Sequence, residues 1–395
     1  MARAREGARH ESLSATPAPP AHSVRGDLAA TDGRVIPPRA RPELLPVVKP
    51  MKRDIDPQYA RSLFFEAKRD TIKESSLRAY EYPTRHFIEF LREADIDSMA
   101  DLDGFYLEQW RLRRKREDIS DATLKSNCKQ IRHFLNWCED KEIVPDGLAD
   151  KLTIPDVPES KLVSSEKVPL AQAEEMLNYL DTYKYATLYH ALFEMMWDTA
   201  CRISGAMALD VEDFVNNPEP TADNPDPQPY LKFRDRPDEG TGLKNGKKSE
   251  RNVTIREPTA AILEDYLHGH HANVTDDYGR TPLFCTDYRR LSRQRAYKAI
   301  NRYTRPCTYS GNCPHGRTLD ACEAYVHNDR AMACPSSNSL HPVRRGSITY
   351  HLKRGWPKEM LAERADVSVA VLEKHYDARS HEDKREGRRK YVNLL

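Results

Sequence analysis

Residues 340–347 read LHPVRRGS, and the sequence EKHYD follows at residues 373–377. His341 and Arg344 are three residues apart, so on a helix they share one face and can reach the same anion. The planar guanidinium of Arg344 fits two phosphate oxygens, and Tyr376 could attack that phosphate as a nucleophile. A surface helix with a solvated basic face would explain this stretch alone equally well. The segments upstream therefore decide between a phosphate-binding site and a solvated surface helix.

Length and composition indicate a globular protein of two domains and a tail. The chain has 395 residues, of which 39% are hydrophobic and 31% charged, and its net charge is +1. No apolar run reaches the roughly 18 residues that a membrane span needs, and no signal-peptide core is present, so we expect a cytoplasmic protein without a membrane partner. With so little net charge, any contact with DNA must come from local basic clusters.

Four segments differ in their sequence pattern. Residues 1–50 are rich in Pro, Ala and Arg without apolar periodicity, which predicts a disordered tail. Residues 51–152 show helical periodicity throughout and predict a bundle of about four helices. Residues 153–169 contain several prolines and predict a linker. A second domain is expected over residues 170–395.

Basic residues of the predicted bundle are candidate DNA contacts. A helix over residues 105–117 ends in a run of arginines and lysines, and the next helix, capped by Ser120 or Asp121, carries basic residues largely on the side away from its apolar face. Such a run is more often a solvated helix face, so the alternative is that these residues bind nothing. The candidates are Arg113, Arg114, Lys115, Lys125, Lys129 and Arg132.

The second predicted domain mixes helices with a small hairpin. Two strands are expected at residues 230–234 and 252–255, joined by a Gly- and Lys-rich connection. The fold class is therefore mainly α, with an α+β second domain. Its helices are predicted at residues 171–181, 184–201, 258–268, 287–303, 341–354 and 357–374.

Residues 197–210, WDTACRISGAMALD, place Arg202 among apolar neighbours. Arg is seldom fully buried unless it is paired, so an ion pair with Asp198 or Asp210 would explain it structurally. The order of the motifs favours a functional reading. Arg202 precedes a Lys-bearing hairpin, then the His341 and Arg344 helix, then Tyr376.

In this order the motifs resemble the tyrosine recombinase, or phage integrase, family over about residues 56–391. The N-terminal bundle resembles the core-binding domain of the family, and the remainder resembles its catalytic domain. The phrases RGSIT at residues 345–349 and VLEKHYD at residues 371–377 resemble archaeal integrases most. The resemblance implies a site-specific recombinase that acts on double-stranded DNA as a homo-oligomer, a tetramer on paired sites.

The resemblance also implies a metal-free phosphoryl transfer. Tyr376 would attack a scissile phosphate and leave a covalent 3′-phosphotyrosyl link and a free 5′-hydroxyl. Arg202 and Arg344 would stabilise the charge of the transition state, His341 would handle the proton of Tyr376, and a hairpin lysine, Lys244, would protonate the leaving oxygen. No cofactor is expected for catalysis.

Two positions depart from the family pattern. At a third, the hairpin lysine, the assignment is ambiguous. The acidic residue usual three positions after the first arginine is replaced by Gly205. The His or Trp usual before the tyrosine has Arg364 as its expected substitute. The hairpin lysine is assigned to Lys244, with Lys247 and Lys248 as alternatives.

Other functions remain compatible with these residues. A type IB topoisomerase uses similar chemistry as a monomer, and an inactive DNA-binding protein could keep the same scaffold. An intact set of candidate catalytic residues argues against the second, since binding alone needs no nucleophile. A zinc-dependent nuclease is disfavoured, because four cysteine ligands would leave the metal no open position.

The chain contains eight cysteines. Four lie among apolar residues and predict buried free thiols; they are Cys128, Cys138, Cys201 and Cys285. The other four fall in a predicted insert at residues 305–336 and suggest a structural zinc site, with four free thiols as the alternative; they are Cys307, Cys313, Cys322 and Cys334.

Overall fold

The computed structural model describes residues 54–72, 74–158, 161, 166–377 and 379–392. The predicted disordered tail and the middle of the predicted linker lie outside the described residues. What is described is mainly helical with small antiparallel sheets, which confirms the predicted fold class. None of its helices is long and apolar enough to cross a membrane.

Side-chain caps begin several helices of the N-terminal bundle. The Asp103 carboxylate accepts hydrogen bonds from the backbone N–H groups of Phe105 and Tyr106, and Ser120 accepts one from Thr123 at 3.1 Å. Ser120, and not Asp121, is thus the cap of the helix predicted after residues 105–117. The helices are α1 (Pro57–Arg69), α2 (Glu74–Glu93), α3 (Gly104–Arg116), α4 (Asp121–Asp140) and α5 (Leu148–Lys151).

The core of this bundle is aromatic. The rings of Phe64 and Phe134 meet edge to face at 5.2 Å, and those of Phe87 and Trp110 do so at 5.5 Å. All four side chains are fully buried. Edge-to-face pairs add stability beyond the area they bury, so the bundle has a hydrophobic core of its own.

A second, larger core joins the helices and strands from Val168 to Val343. The predicted helices of this part are confirmed within a few residues, with two exceptions at residues 287–303 and 357–374. Its helices are α6 (Leu170–Tyr183), α7 (Leu188–Thr199), α8 (Ile203–Ala208), α9 (Glu257–Gly269), α10 (Arg293–Tyr303), α11 (Pro306–Ser310), α12 (Glu323–Val326), α13 (Leu340–Lys353), α14 (Lys358–Ala365), α15 (Val369–His375) and α16 (His381–Val392).

The strands form two small antiparallel sheets. In the first, β2 (Tyr230–Phe233) lies between β1 (Phe214–Val215) and β3 (Arg251–Thr254), with buried Leu231 opposite buried Val253. The second sheet is the hairpin of β4 (Cys285–Thr286) and β5 (Arg289–Arg290). This hairpin takes the place of the first turns of the predicted helix at residues 287–303.

The other exception lies directly before Tyr376. The predicted helix at residues 357–374 is divided into α14 and α15 by Asp366, which has φ 54° and ψ 61°. Asp tolerates this left-handed conformation better than most residues. Ser368 then caps α15 through a hydrogen bond from Val371 N–H.

Helix α13 contributes Leu340 and Val343 to the second core, and Ile348 and Leu352 to a smaller cluster with Tyr376. A Cβ atom on Gly346 would lie 2.6 Å from the carbonyl oxygen of Val168 and 3.2 Å from the ring of Trp197. Only glycine therefore allows α13 to approach these neighbours so closely. This packing fixes the helix that carries His341 and Arg344.

Candidate active site

Arg344 connects two backbone segments that come from distant parts of the chain. Its guanidinium donates one hydrogen bond to the Ala200 carbonyl at 2.8 Å and another to the Ala365 carbonyl at 2.7 Å. The side chain is only 3% exposed, and its buried Nε–H has no partner among the described residues. Because these carbonyls belong to the segments leading into Arg202 and Asp366, Arg344 sets the positions of both.

Tyr376 lies against the same helix. It caps α15, where its N–H donates to the Leu372 carbonyl, and its own carbonyl accepts from the Thr349 hydroxyl at 3.0 Å. Its ring is 5.4 Å from the His341 ring, centre to centre, and 5.3 Å from the guanidinium carbon of Arg344. The residue is 6% exposed. The structure thus brings together the three residues that the opening sequence motif singled out.

Arg202 begins α8 and forms an ion pair with Asp366. The predicted structural alternatives, Asp198 and Asp210, are not its partners in the structure. Both carboxylates are occupied by other arginines, because each is buried where a different element supplies the cation. Asp198 binds Arg256 and Arg364, and Asp210 binds Arg236, Arg280 and Arg290.

A groove of about 570 Å³ opens beside Arg202. Of the three hairpin lysines considered, Lys244 and Lys248 line it and Lys247 does not. Its lining carries both signs of charge, with four cations and three acids. The cations are Arg202, Lys244, Lys248 and Arg251, and the acids are Glu250, Glu363 and Asp366.

Arg364, the predicted substitute for the His or Trp of the family, is bound within the protein. Its guanidinium donates to the Asp198 carboxylate at 2.8 Å and to the Thr254 carbonyl at 2.5 Å. Like His341, Arg344 and Tyr376, it is not among the residues that line the groove beside Arg202. The residues of this segment that line the groove with Arg202 are Ala362, Glu363, Asp366, Val367, Ser368 and Val371.

Sequence reasoning missed two residues that the groove contains. Arg251 lies with its guanidinium 4.2 Å from the centre of the Phe233 ring and donates to the Arg364 carbonyl at 2.9 Å. Its position at the start of a strand, next to the lysine-rich turn, was an available signal. Asp366 could have been found from Ser368, since an Asp and a helix-capping Ser in close succession favour a break between helices.

The surroundings of His341 favour its neutral form. Loss of solvent around the ring lowers the pKa of His341 below its usual value of 6.5, and the positive charges of Arg344, Arg345, Arg202 and Lys244 lower it further. A neutral imidazole can accept a proton. His341 is therefore in the protonation state that a base for the Tyr376 hydroxyl requires.

This electrostatic setting predicts the pH dependence of any reaction in which His341 is the base. The rate should hold its plateau as the pH falls to about 6.5 and decline only below that value, because the depressed pKa keeps the ring neutral above it. Single-turnover cleavage rates measured over a pH series would show this acid limb. His341→Gln should lower the plateau and remove the limb, and an unchanged limb in that variant would assign the titration to another group.

The predicted DNA contacts of the bundle divide into exposed and internally bound residues. Lys115 and Lys129 are exposed. Arg114 is a correction: it is 1% exposed, pairs with Glu117 and lies over the Tyr82 ring, so it stabilises the fold and cannot reach a phosphate. The other three hold partners within the protein: Arg113 pairs with Glu93, Lys125 lies 4.0 Å from Asp156, and Arg132 donates to the Leu152 carbonyl.

The cysteines carry free thiols, and those at positions 128, 138, 201 and 285 are buried as predicted. Cys322 and Cys334 pack with Ala324 in a small cluster of the insert, while Cys313 is partly exposed. No three His, Cys, Asp or Glu side chains in the described part of the chain are grouped so that they could hold a metal ion. A closed zinc site needs four ligands around one centre, so the structure does not support the predicted zinc site at Cys307, Cys313, Cys322 and Cys334.

Comparison with known proteins gave structural matches only. No family model matches the sequence, and no curated protein does. XerH site-specific recombinase in a post-cleavage complex with palindromic difH substrate has a TM-score of 0.57 and 14% identity, covering 86% of this chain and 84% of that one. A lambda integrase tetramer bound to a Holliday junction gives 0.56 and 8%, covering 83% and 80%.

A third structure, the Tn1549 transposon integrase in complex with transposon right end DNA, gives a TM-score of 0.54 and 12% identity, covering 86% of this chain and all 100% of that one. The three structures extend over both the N-terminal bundle and the part that contains the candidate site. Identities this low establish shared architecture rather than shared activity. The chain therefore has the fold of the tyrosine recombinases.

Proposed function

We propose that this protein is a site-specific DNA recombinase that cuts and rejoins DNA through a covalent 3′-phosphotyrosyl intermediate. The observation that carries the proposal is the placement of Arg344. One buried guanidinium lies against the ring of Tyr376 and also holds the backbone that presents Arg202. Arg344 thereby contacts the proposed nucleophile directly and binds the backbone two residues before Arg202.

The proposed reaction is an in-line phosphoryl transfer. The Tyr376 oxygen forms a bond to phosphorus while the bond from phosphorus to the 5′-oxygen breaks. His341 accepts the phenolic proton, and Lys244 gives a proton to the leaving 5′-oxygen. Arg202 and Arg344 stabilise the charge on the non-bridging oxygens. Rejoining reverses these steps with a new 5′-hydroxyl, and the covalent link conserves the energy of the broken bond.

The guanidinium of Arg344 retains donors for this role. It has five N–H groups, of which the Ala200 and Ala365 carbonyls occupy two. The Nε–H, buried and without a partner in the described structure, is among the remainder. An incoming phosphate oxygen could accept from the donors that the two carbonyls do not use, at a site already desolvated.

Double-stranded DNA is the proposed partner, and an assembly of protomers on paired sites is the proposed active form. The XerH structure is a complex with its difH substrate, and the lambda integrase structure is a tetramer on a Holliday junction. In this chain, α10 presents an exposed basic face that forms no ion pair with an acidic residue of the described structure. The face consists of Arg293, Arg295, Lys298 and Arg302.

The basic face of α10 predicts a measurable salt dependence. Replacing Arg295 and Arg302 by Gln should make the slope of log binding constant against log salt less steep by about 1.8, because each phosphate contact of B-DNA contributes about 0.9. Fluorescence anisotropy on a duplex would measure the slope. Arg385 and Arg389, which pair with Glu382 and Glu386 on α16, provide the matched double Gln control. Equal slopes in both double variants would exclude α10 from the DNA interface.

The function itself is tested with a nicked suicide DNA substrate. The substrate carries the attachment or repeat sequence of the host genetic element that encodes this protein. The protein should form a protein–DNA adduct that survives denaturation. Tight binding of that duplex without an adduct would favour the inactive DNA-binding protein instead. An adduct and relaxation of supercoiled DNA by the monomer, without strand exchange between sites, would favour the topoisomerase-like activity.

A further inference from the structure

Asp366 contacts three elements of the candidate site at once. Its Oδ2 atom is bound by the Arg202 guanidinium and accepts a hydrogen bond from the Ser249 hydroxyl at 2.9 Å. Its Oδ1 atom lies 3.5 Å from the side-chain nitrogen of Asn245. Asn245 and Ser249 delimit the short turn that follows Lys244. A single carboxylate therefore joins the first arginine, the lysine turn and the segment that leads to Tyr376.

The backbone holds this carboxylate in place. Asp366 occupies the left-handed break between α14 and α15, and its N–H completes the end of α14 through the carbonyls of Ala362 and Glu363. The carbonyl of the preceding residue, Ala365, is bound by Arg344. The break is thus fixed from both sides, so the direction of the Asp366 side chain is determined by the fold.

The carboxylate also supplies Arg202 with an acidic partner that the neighbouring sequence does not provide. Position 205 is glycine, and a Cβ atom there would lie 3.3 Å from the Phe233 ring, so an acidic side chain has little room at this position. Among the described residues, Asp366 is the acid that pairs with Arg202. It reaches Arg202 from a different element, across the groove.

We propose that Asp366 is a positioning residue that holds Arg202 and the Lys244 turn in their reactive arrangement before DNA binds. The inference rests on the proposed function. The ion pair uses Nη1 of Arg202 and leaves its other N–H groups available for a phosphate. It also offsets the repulsion among the cations of the groove. Donors fixed in advance stabilise a transition state without reorganising during the reaction.

The first test is a double-mutant cycle on single-turnover cleavage. Asp366→Asn keeps the shape of the side chain and tolerates the left-handed backbone, but it removes the charge. Alone it should slow cleavage roughly 10- to 100-fold, the range expected for one charge-assisted hydrogen bond. In an Arg202→Lys background the same change should have less than about a threefold effect, because its target is already altered.

Glu359→Gln is the matched control, since it removes one negative charge from an exposed position on the same helix. It should cleave like the wild type. Equal slowing by Asp366→Asn in both backgrounds would show that Asp366 does not act through Arg202 and would overturn the proposal. Cleavage by Asp366→Asn as fast as the wild type, or faster, would also overturn it, and the faster rate would make the ion pair an inhibitory contact.

Hydrogen exchange separates this inference from the proposed function, because it needs no reaction. Asp366→Asn should accelerate amide exchange in residues 244–250, whose Asn245 and Ser249 bind the carboxylate, and should leave the N-terminal bundle unchanged. Unchanged exchange in the turn would overturn the positioning role even if the enzyme is active. If the wild type forms no adduct, the proposed function fails, and faster exchange in the variant would still establish that Asp366 holds the turn.

Discussion

Tyr376→Phe should abolish the covalent protein–DNA adduct while leaving DNA binding intact. The substitution removes the proposed nucleophilic oxygen and keeps the ring of a residue that is only 6% exposed. Because the ring remains, the packing against His341 and Arg344 is retained, and the free energy of unfolding should change by less than about 1 kcal/mol. Denaturing gels on a nicked duplex would measure the adduct, and native gels would measure binding.

Two controls make this result decisive. Tyr350→Phe removes a hydroxyl from α13 at a partly buried tyrosine outside the site, and it should form the adduct at the wild-type rate. Thermal unfolding of both variants would show that the fold is unchanged. An adduct that persists in Tyr376→Phe would mean that a different residue is the nucleophile, and the roles proposed for its neighbours would have to be reassigned.

Arg344→Lys should impair both stability and cleavage. A lysine has a single ammonium group and cannot donate to the Ala200 and Ala365 carbonyls in the way the planar fork of arginine does. One buried carbonyl would lose its partner, which costs about 2 kcal/mol of folding free energy. Cleavage should fall by about 100-fold or more, since the variant loses a transition-state donor and also loosens the backbone that presents Arg202.

Arg354→Lys is the matched control for this prediction. Arg354 follows the last turn of the same helix, is exposed, and lies 5.8 Å from the centre of the Tyr350 ring. Urea unfolding and single-turnover cleavage of the two variants would separate the buried arginine from the exposed one. If Arg344→Lys matched Arg354→Lys in both measurements, the two carbonyl bonds would have no energetic importance.

Much of the fold was predictable because its signals are local. Caps, apolar periodicity and turn residues placed most helices and the β2–β3 hairpin within a few residues. The break in the predicted helix at residues 357–374 was missed because α14 and α15 have a continuous helical pattern. Its cause is the left-handed conformation of Asp366, which Arg202 and Ser249 stabilise from elsewhere in the fold.

The candidate site was predictable to a similar extent. His341, Arg344 and Tyr376 lie together, as their motifs suggested. The partner of Arg364 was not predictable: in the structure it pairs with Asp198 at the end of α7. The two residues are far apart in sequence, and no local pattern reports which of several acids an arginine will meet.

The sequence by itself determined the helical elements, the hairpin and the order of the chemically important residues. These depend on backbone preferences and on spacing within one turn of a helix or one strand. The tertiary structure alone decided which charges are paired. Arg202 meets Asp366, Arg364 meets Asp198, and Asp210 binds three arginines. An ion pair depends on distance and on burial, and both are set by how remote segments pack.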